Sequence, residues 1–246
     1  MNRRRLLYSS GLVMASTLAG CTGGGSEEAE GGTRDSNSSS DSNNSTTNDE
    51  GTDEGTSAIE IVDHELIVDE GDYITDVYVE ALIENTGDAP SGNIELQADW
   101  YNADGNYLDN DIGWLISLAP GESWEARVYY LGSNPEEVED YEFEGEFDEE
   151  LTNPNPDGLE LLGSEMEVGE DEAVVTGEIE NTSDETEDYV AAVAKIYDEE
   201  GVVLGDNYTN VTELRGGETW SFEVSWRGRD RTDRAATHEL LVSNTT

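Results

Sequence analysis

One cysteine, two histidines, five prolines and a single lysine are all that 246 residues hold of those types. A lone cysteine, Cys21, excludes an internal disulfide. The histidines, His64 and His238, have no cysteine or second histidine at ligand spacing, which argues against a zinc site. No Gly-x-Ser-x-Gly elbow, phosphate-binding glycine loop, zinc-protease motif or dinucleotide fingerprint occurs. Long hydrophobic runs are missing too: the apolar stretch from Gly11 to Ala19 is far shorter than the roughly 20 residues that span a bilayer. Positive charge is scarce, with 11 Lys+Arg against 59 Asp+Glu and a net charge of −48. Such a chain does not bind nucleic acid through its phosphates. Carboxylates are so abundant that singling out a glycosidase pair would be arbitrary. From these absences a protein that is not an enzyme, with neither cofactor nor metal, is the expectation.

What is present begins at the N-terminus. Asn2-Arg3-Arg4-Arg5-Leu6-Leu7-Tyr8 resembles a twin-arginine export signal, with Arg3 and Arg4 as the pair and Leu6 and Leu7 as the apolar follow-on; an ordinary secretory signal is the alternative. Leu18-Ala19-Gly20-Cys21 resembles a lipobox. Residues 1–20 are therefore expected to be a signal peptide. Cys21 would become the lipidated N-terminus, anchoring the chain to the extracellular face of the cell membrane through the buried methylenes of its lipid.

Loss of residues 1–20 would remove three arginines and no acid, taking the net charge from −48 to −51. Self-repulsion on that scale opposes a compact state in dilute buffer. At molar salt the Debye length falls to roughly 3 Å and most of the repulsion is screened. Excess acid spread along the whole chain, with Lys195 as the only lysine, resembles the proteins of extreme halophiles, notably haloarchaea.

Residues 21–57 carry the cysteine and a run of Gly, Ser, Thr, Asn, Asp and Glu in which Ala29 is the only apolar side chain beyond Cys21. Such a segment cannot bury enough surface to offset its ordering entropy, and is expected to be a disordered spacer. Its flexible reach is about 33 Å. Beyond it the chain repeats itself at an offset of 96. Ile83-Glu84-Asn85-Thr86 matches Ile179-Glu180-Asn181-Thr182, Tyr101 and Gly105 match Tyr197 and Gly201, and Leu118 through Trp124 matches Leu214 through Trp220. Two homologous domains follow, 58–147 and 159–246, joined by a linker at 148–158.

Within each repeat the hydrophobic period is 2. Val77, Val79, Ala81 and Ile83 share one face, as do Ile94, Leu96, Ala98 and Trp100, and Trp124, Ala126, Val128 and Tyr130. The second repeat keeps this parity through Ala173, Val175 and Ile179, through Val190, Ala192, Ala194 and Ile196, and through Trp220, Phe222, Val224 and Trp226. Half-buried antiparallel strands explain the pattern. Asn-Thr-Gly-Asp, Asp-Gly-Asn, Pro-Gly and Gly-Gly signals punctuate it. The expected fold is all-β: two tandem immunoglobulin-like sandwiches of about seven short strands each.

The second repeat, read through Val175–Thr182, Ala194–Gly201 and Leu214–Trp220, resembles the FxLYD domain, a small β-sandwich module of prokaryotic secreted and lipid-anchored proteins; the first repeat resembles it more distantly. Ala194 and Ala98 stand where that pattern has its Phe, Ile196 and Trp100 where it has Leu, and only Tyr197-Asp198 keeps the Tyr-Asp pair. The resemblance implies a surface module and no reaction. CARDB-like adhesion modules share similar turns and remain a competing label.

Four features are candidates for function. Asn102, Asp104, Asn106, Asp109, Asn110 and Asp111 could supply oxygen ligands to calcium, although a hairpin turn with Gly105 at positive φ is the preferred reading. Arg227, Arg229, Arg231 and Arg234 form the only basic cluster. They are read as pairing with local acids, or as docking an acidic partner or glycan. Tyr129, Tyr130, Trp114 and Trp226 cannot all point inward and are candidates for a binding surface, with ordinary core and rim packing as the alternative. Asn37, Asn43, Asn44, Asn181, Asn207, Asn210 and Asn244 head glycosylation sequons. Together these describe a lipid-anchored surface protein presenting non-catalytic binding or structural modules to an unknown surface protein or glycan. An accessory subunit of a membrane complex is the alternative, and a hydrolase using an acidic pair ranks last.

Overall fold

A computed structural model describes residues 4–7, 55–71, 75–151 and 154–245. Cys21, the sequons at Asn37, Asn43 and Asn44, and the rest of the expected signal and spacer up to Glu54 lie outside the described residues. The described residues belong to one compact unit, and among them no helix is long and apolar enough to cross a membrane.

The architecture is all-β. A short strand β1 (Arg4–Leu7) is followed by β2 (Ile59–Glu70), β3 (Thr75–Asn85), β4 (Ile94–Tyr101), β5 (Tyr107–Leu115), β6 (Ser123–Tyr129) and β7 (Asp140–Asp148). The second half supplies β8 (Leu159–Val168), β9 (Ala173–Asn181), β10 (Glu187–Tyr197), β11 (Val203–Leu214), β12 (Thr219–Trp226) and β13 (Thr237–Ser243). In the first half β2-β3-β6 faces β7-β4-β5; in the second β8-β9-β12 faces β13-β10-β11. A single parallel bridge, Val203 to Trp124, links β11 to β6 and so joins one sheet of each half.

Strand β1 adds to the outer edge of β7, so the first half has the seven strands expected and the second has six; the pairing shows how the halves correspond. From β3 onward the offset is 96. Ahead of it the offset becomes 100, because Ile59 pairs with Asn85 but Leu159 with Asn181, and the bulges fall at Ile61/Asp63 and Leu161/Gly163. The first hairpin of the first half is four residues longer.

The alternation expected of the strands is present. Val77, Val79, Ala81, Ile83, Ile94, Leu96, Ala98, Trp100, Trp124, Ala126 and Val128 are all buried in one core. Ala173, Val175, Ile179, Val190, Ala192, Ala194, Ile196, Phe222, Val224 and Trp226 are buried in the other. Tyr197 and Val203 belong to the first core although they lie on strands of the second half. Strand β10 departs from a half-buried pattern, because every residue from Val190 to Tyr197 is buried. One of its faces packs inside its own sandwich; on the other, Lys195 and Tyr197 reach Glu122 of the neighbouring half, and Ala191 and Val193 lie at the junction. Trp226, counted above among candidate surface aromatics, is 6% exposed. It fits because Gly205 and Gly228 lie against its indole; a Cβ on Gly205 would stand 2.8 Å from Nε1.

The matched Asn residues are buried corners. Asn85 Nδ2 donates to the carbonyls of Ala89 and Leu118, at 2.9 and 2.8 Å, and Asn181 Nδ2 to those of Glu185 and Leu214, at 2.8 and 2.9 Å. Each Oδ1 accepts backbone amides in turn, from Ala58 and Gly87 in the first half and from Ser183 in the second. A side-chain amide does here what a backbone peptide cannot, satisfying groups of two loops that diverge from one strand end.

Candidate binding groove at the junction of the halves

The junction is built on the scarce cations. Lys195, on the outward face of β10, places Nζ 2.6 Å from Glu122 Oε2. Glu122 sits in the Pro-Gly-Glu turn before β6, where the same oxygen accepts the Ala119 amide at 2.7 Å. Its counterpart Glu218 accepts the Arg215 amide in the same way. The motif therefore caps a turn in both halves, and only the first copy is also used as a counterion. Burial disfavours the Glu122 carboxylate, but the Lys195 ammonium and the Ala119 amide outweigh it and hold the group below the ordinary range. The Tyr197 hydroxyl lies 2.8 Å from Glu122 and 2.7 Å from Glu239, and burial followed by these two carboxylates pushes its ionisation far up.

A second set of cations closes the other side. Arg127 on β6 bonds Glu80 at 2.8 Å and Asp230 at 2.7 Å, with its guanidinium 4.6 Å above the Tyr78 ring. The basic cluster forms a 3-10 turn, Arg229–Arg234, rather than an open loop. Arg234 grips Glu125 at 2.7 Å and Asp198 at 2.9 Å; Arg231 donates to the Glu125 carbonyl at 2.6 Å; Arg229 stacks on Tyr129 at 3.9 Å and pairs with Asp76 at 3.2 Å. Three of the four clustered arginines are thus engaged with acids or carbonyls of the other half, whereas Arg227, 82% exposed, lies 3.7 Å from Glu172. The cluster acts as a clamp inside the chain. This goes beyond surface pairing with neighbours in sequence, and it leaves little of the cluster to present to an acidic partner. Arg231 is itself buried, with Nε unpaired.

Beside the clamp lies a groove of about 420 Å³. Its floor is the outward face of β10, Ala191 and Val193, flanked by Tyr189, by Tyr208 and Asp206 of β11, by Trp114 and Ile116 at the end of β5, and by Phe147 of β7. Trp114 is 67% and Tyr208 60% exposed. Register explains the convergence: Val193 pairs opposite Tyr208, Lys195 opposite Asp206, and Glu95 opposite Trp114. Asp206 Oδ2 accepts the Ile116 amide across the junction at 2.7 Å. Burial raises its carboxyl to about 6, against the opposing pull of that amide and of Lys195.

The same face has opposite character in the two halves. Glu95, Gln97 and Asp99 of β4 correspond to Ala191, Val193 and Lys195 of β10. On the first half's face Glu95 lies opposite Glu146, and Asp99 opposite Glu142. Apolar floor and acidic wall therefore meet in one concavity.

The other candidate residues fall elsewhere. Asn181 is fully buried with its amide used in the corner, an environment that does not present it to a glycosylating enzyme. Asn207 and Asn210 are exposed on β11, Asn207 donating to the Ser225 carbonyl. Asn244 lies 3.3 Å from Glu187. Asn102 Oδ1 accepts the amides of Asp104 and Asn106, so the acidic stretch is a turn with Gly105 at φ 75°; Asp198 does the same in the second half. Asp111 Oδ2 accepts Trp100 Nε1 and the Leu131 amide. Among the described residues no group of three or more His, Cys, Asp or Glu is arranged to hold a metal. Tyr129 and Tyr130 are half-buried, Tyr129 as the platform for Arg229 and Tyr130 edge-on to Trp100. Tyr189, Tyr208 and Asp206 were not singled out by sequence reasoning. The signal for them was the second face of β10, whose Ala191 and Val193 are apolar where a solvent-facing strand would carry charge.

No family model matches the chain. An uncharacterized protein of Methanocaldococcus jannaschii is 27% identical over 123 residues, half of this chain and 77% of that one. Among solved structures, a calcium-binding mutant of Bacteroides uniformis beta-glucuronidase 2 is 14% identical with a TM-score of 0.21, over 66% of this chain and 23% of its own. The chain therefore spans less than a quarter of that enzyme's length. The N-terminal CBM22-1-CBM22-2 tandem domain of Paenibacillus barcinonensis Xyn10C is 10% identical with a TM-score of 0.18, over 78% of this chain and 85% of its own.

Proposed function

We propose that this is a protein lipid-anchored to the extracellular face of the cell membrane, exported by a twin-arginine signal and modified on Cys21, that presents a non-catalytic binding surface in concentrated salt. The observation that carries the reading is the groove at the junction. Its halves are clamped by Lys195 and the arginines, so the concavity is formed before any ligand arrives, and preformed concave sites with exposed aromatic rings are binding sites by default. Its titratable groups support a binding role over catalysis. Asp206 and Glu122 are committed to an amide and an ammonium, and the two histidines lie elsewhere, each bonded to a hydroxyl. The FxLYD resemblance supports the same reading.

Two experiments test it. Cys21→Ser should move the protein from the membrane fraction to the medium; retention in the membrane would defeat the anchor. Crosslinking on living cells at native salt should recover contacts through the groove. The only lysine is buried, so the reagent must react with carboxylates. One dominant membrane-complex partner would make the protein an accessory subunit. Surface proteins or glycans without a dominant partner would support a free-standing module.

A further inference from the structure

We infer that the groove and the outer edge of β7 together receive an extended polypeptide segment bearing basic residues. This rests on the groove being the binding surface proposed above.

The argument starts from the two equivalent edges. Strands β7 and β13 each pair with the central strand of their sheet on one side and lie at the sheet's edge on the other. The outer edge of β13 is taken by the chain that enters the second half: Pro154 bridges Ser243, the Asn155 amide donates to the Val242 carbonyl at 2.7 Å, and Asn155 Oδ1 accepts the Val242 amide at 2.9 Å. At the offset of 96, Val242 corresponds to Glu146. The outer edge of β7 is taken by β1, antiparallel, with Arg4 opposite Asp148, Arg5 opposite Phe147, Leu6 opposite Glu146 and Leu7 opposite Gly145. Both halves thus fill the same edge with an extended segment. In the second half the segment belongs to the fold. In the first it belongs to residues whose sequence reads as a removable export signal. Its removal would open a stretch of strand edge, a template for main-chain pairing.

The opened edge borders the groove, because Glu146, Phe147 and Asp148 form its wall. The chemistry around it selects the occupant. The outward face of β7 carries Glu142, Glu144 and Glu146, two of them directly opposite Asp99 and Glu95 on β4. Like charges directly opposite on a sheet repel, so a strand carrying cations is the complementary addition, and β1 carries Arg4 and Arg5. The chain's own spacer is a poor substitute, since residues 22–57 hold nine acids and one arginine. A neutral sugar could stack on Trp114 and Tyr208, but it would leave the backbone groups of the β7 edge unused. The ligand class is therefore an extended segment with basic residues at the β7 edge and an apolar or aromatic side chain reaching Trp114 and Tyr208.

The test uses protein recovered from cell membranes, whose intact mass shows first whether residues 1–20 are gone. Calorimetry at molar potassium chloride then compares a peptide of sequence Asn-Arg-Arg-Arg-Leu-Leu-Tyr, the same peptide with its arginines replaced by glutamate, and a neutral hexasaccharide of glucose. The arginine peptide is expected to bind, the glutamate peptide to bind at least about tenfold more weakly, and Trp114→Ala and Glu146→Pro each to cost about tenfold or more. Circular dichroism checks that both variants remain folded. If residues 1–20 are retained, Leu6→Pro vacates the edge and the same comparison is made on that variant. Equal binding of both peptides, or peptide binding indifferent to both substitutions, overturns the inference. Trp114-dependent binding of the sugar without the peptide overturns it too, while leaving the groove as a binding site. Binding of no probe overturns the inference, and together with no groove contact on cells it defeats both readings.

Discussion

His64 on β2 and Ser164 on β8 occupy the same position in the two halves, and each bonds across to the last strand of its own sandwich with the chemistry exchanged. His64 Nδ1 lies 2.7 Å from the Tyr141 hydroxyl, whereas the Ser164 hydroxyl lies 2.9 Å from His238 Nε2. The repeat keeps an imidazole–hydroxyl bond between first and last strands, but not the residue that supplies either end. Both histidines are pushed below their ordinary value by burial, in His64 against the pull of Asp63, and so are neutral at pH 7.

The pH dependence of stability should separate these histidines from Asp206. A histidine held neutral costs stability as pH falls through the unfolded value near 6.5, where the unfolded chain protonates first. Asp206 acts in the opposite direction. Its carboxyl is raised to about 6, so the folded state holds a proton that the unfolded chain has lost, and stability falls as pH rises from about 4 to about 6. Asp206→Asn keeps an acceptor for the Ile116 amide and removes that loss. The variant should be more stable than the parent at pH 7 by on the order of 2 kcal/mol, and no more stable at pH 4. Urea titrations at both pH values decide this, and a gap equal at both would show that Asp206 titrates normally.

The Lys195–Glu122 pair should behave as a buried pair does. Lys195→Ala leaves Glu122 without its cation and should cost about 3–5 kcal/mol. The loss should persist in molar salt, because a buried pair is poorly screened. Lys195→Ala with Glu122→Gln should recover part of it. Arg227→Ala, at an exposed position, should change stability by no more than about 0.5 kcal/mol. A Lys195→Ala loss that disappears in salt would place the pair in solvent.

Asn181 should stay unmodified. Mass spectrometry of protein from cells that glycosylate should find no sugar there, while Asn207 and Asn210 remain open to it. Asn181→Asp and Asn85→Asp should each destabilise by roughly 2–3 kcal/mol, since a carboxylate cannot donate to the two buried carbonyls each amide satisfies. Calorimetric melts of the two variants check the equivalence, and a tolerated Asn85→Asp would break it.

Net charge predicts that the fold depends on salt. Melts followed by circular dichroism should move upward by many degrees between dilute buffer and molar potassium chloride as repulsion among the carboxylates is screened. An unchanged cooperative melt would mean that the acids are already balanced within the structure.

Much of this fold could be read from the chain, and the reason is local. Period-2 alternation at Val77–Ile83, Ile94–Trp100 and Trp124–Val128 is set by the pleat, and the pleat does not depend on what lies beyond the sheet. The matched Ile-Glu-Asn-Thr blocks revealed the repeat, but not that Asn85 and Asn181 are buried corners, because each also satisfies a carbonyl 33 residues away, that of Leu118 or Leu214. The site was harder to see. β10 looks like any half-buried strand until its outer face is compared, position by position, with the charged face of β4. The arginine cluster reads as surface charge because its counterions, Glu125, Asp76 and Asp198, are 36 to 153 residues distant in the chain. Strand periodicity carries no record of such pairings.

Five of the eight basic residues beyond residue 20 hold the two halves together: Arg127, Lys195, Arg229, Arg231 and Arg234. That distribution bounds how the chain can evolve. Lysines could be gained almost anywhere on the acidic faces without disturbing the interior. There is little room to lose cations instead, because among the described residues beyond residue 20 only Arg215 and Arg227 lie outside the junction. Past that point, each cation given up would separate the halves and take the groove with them.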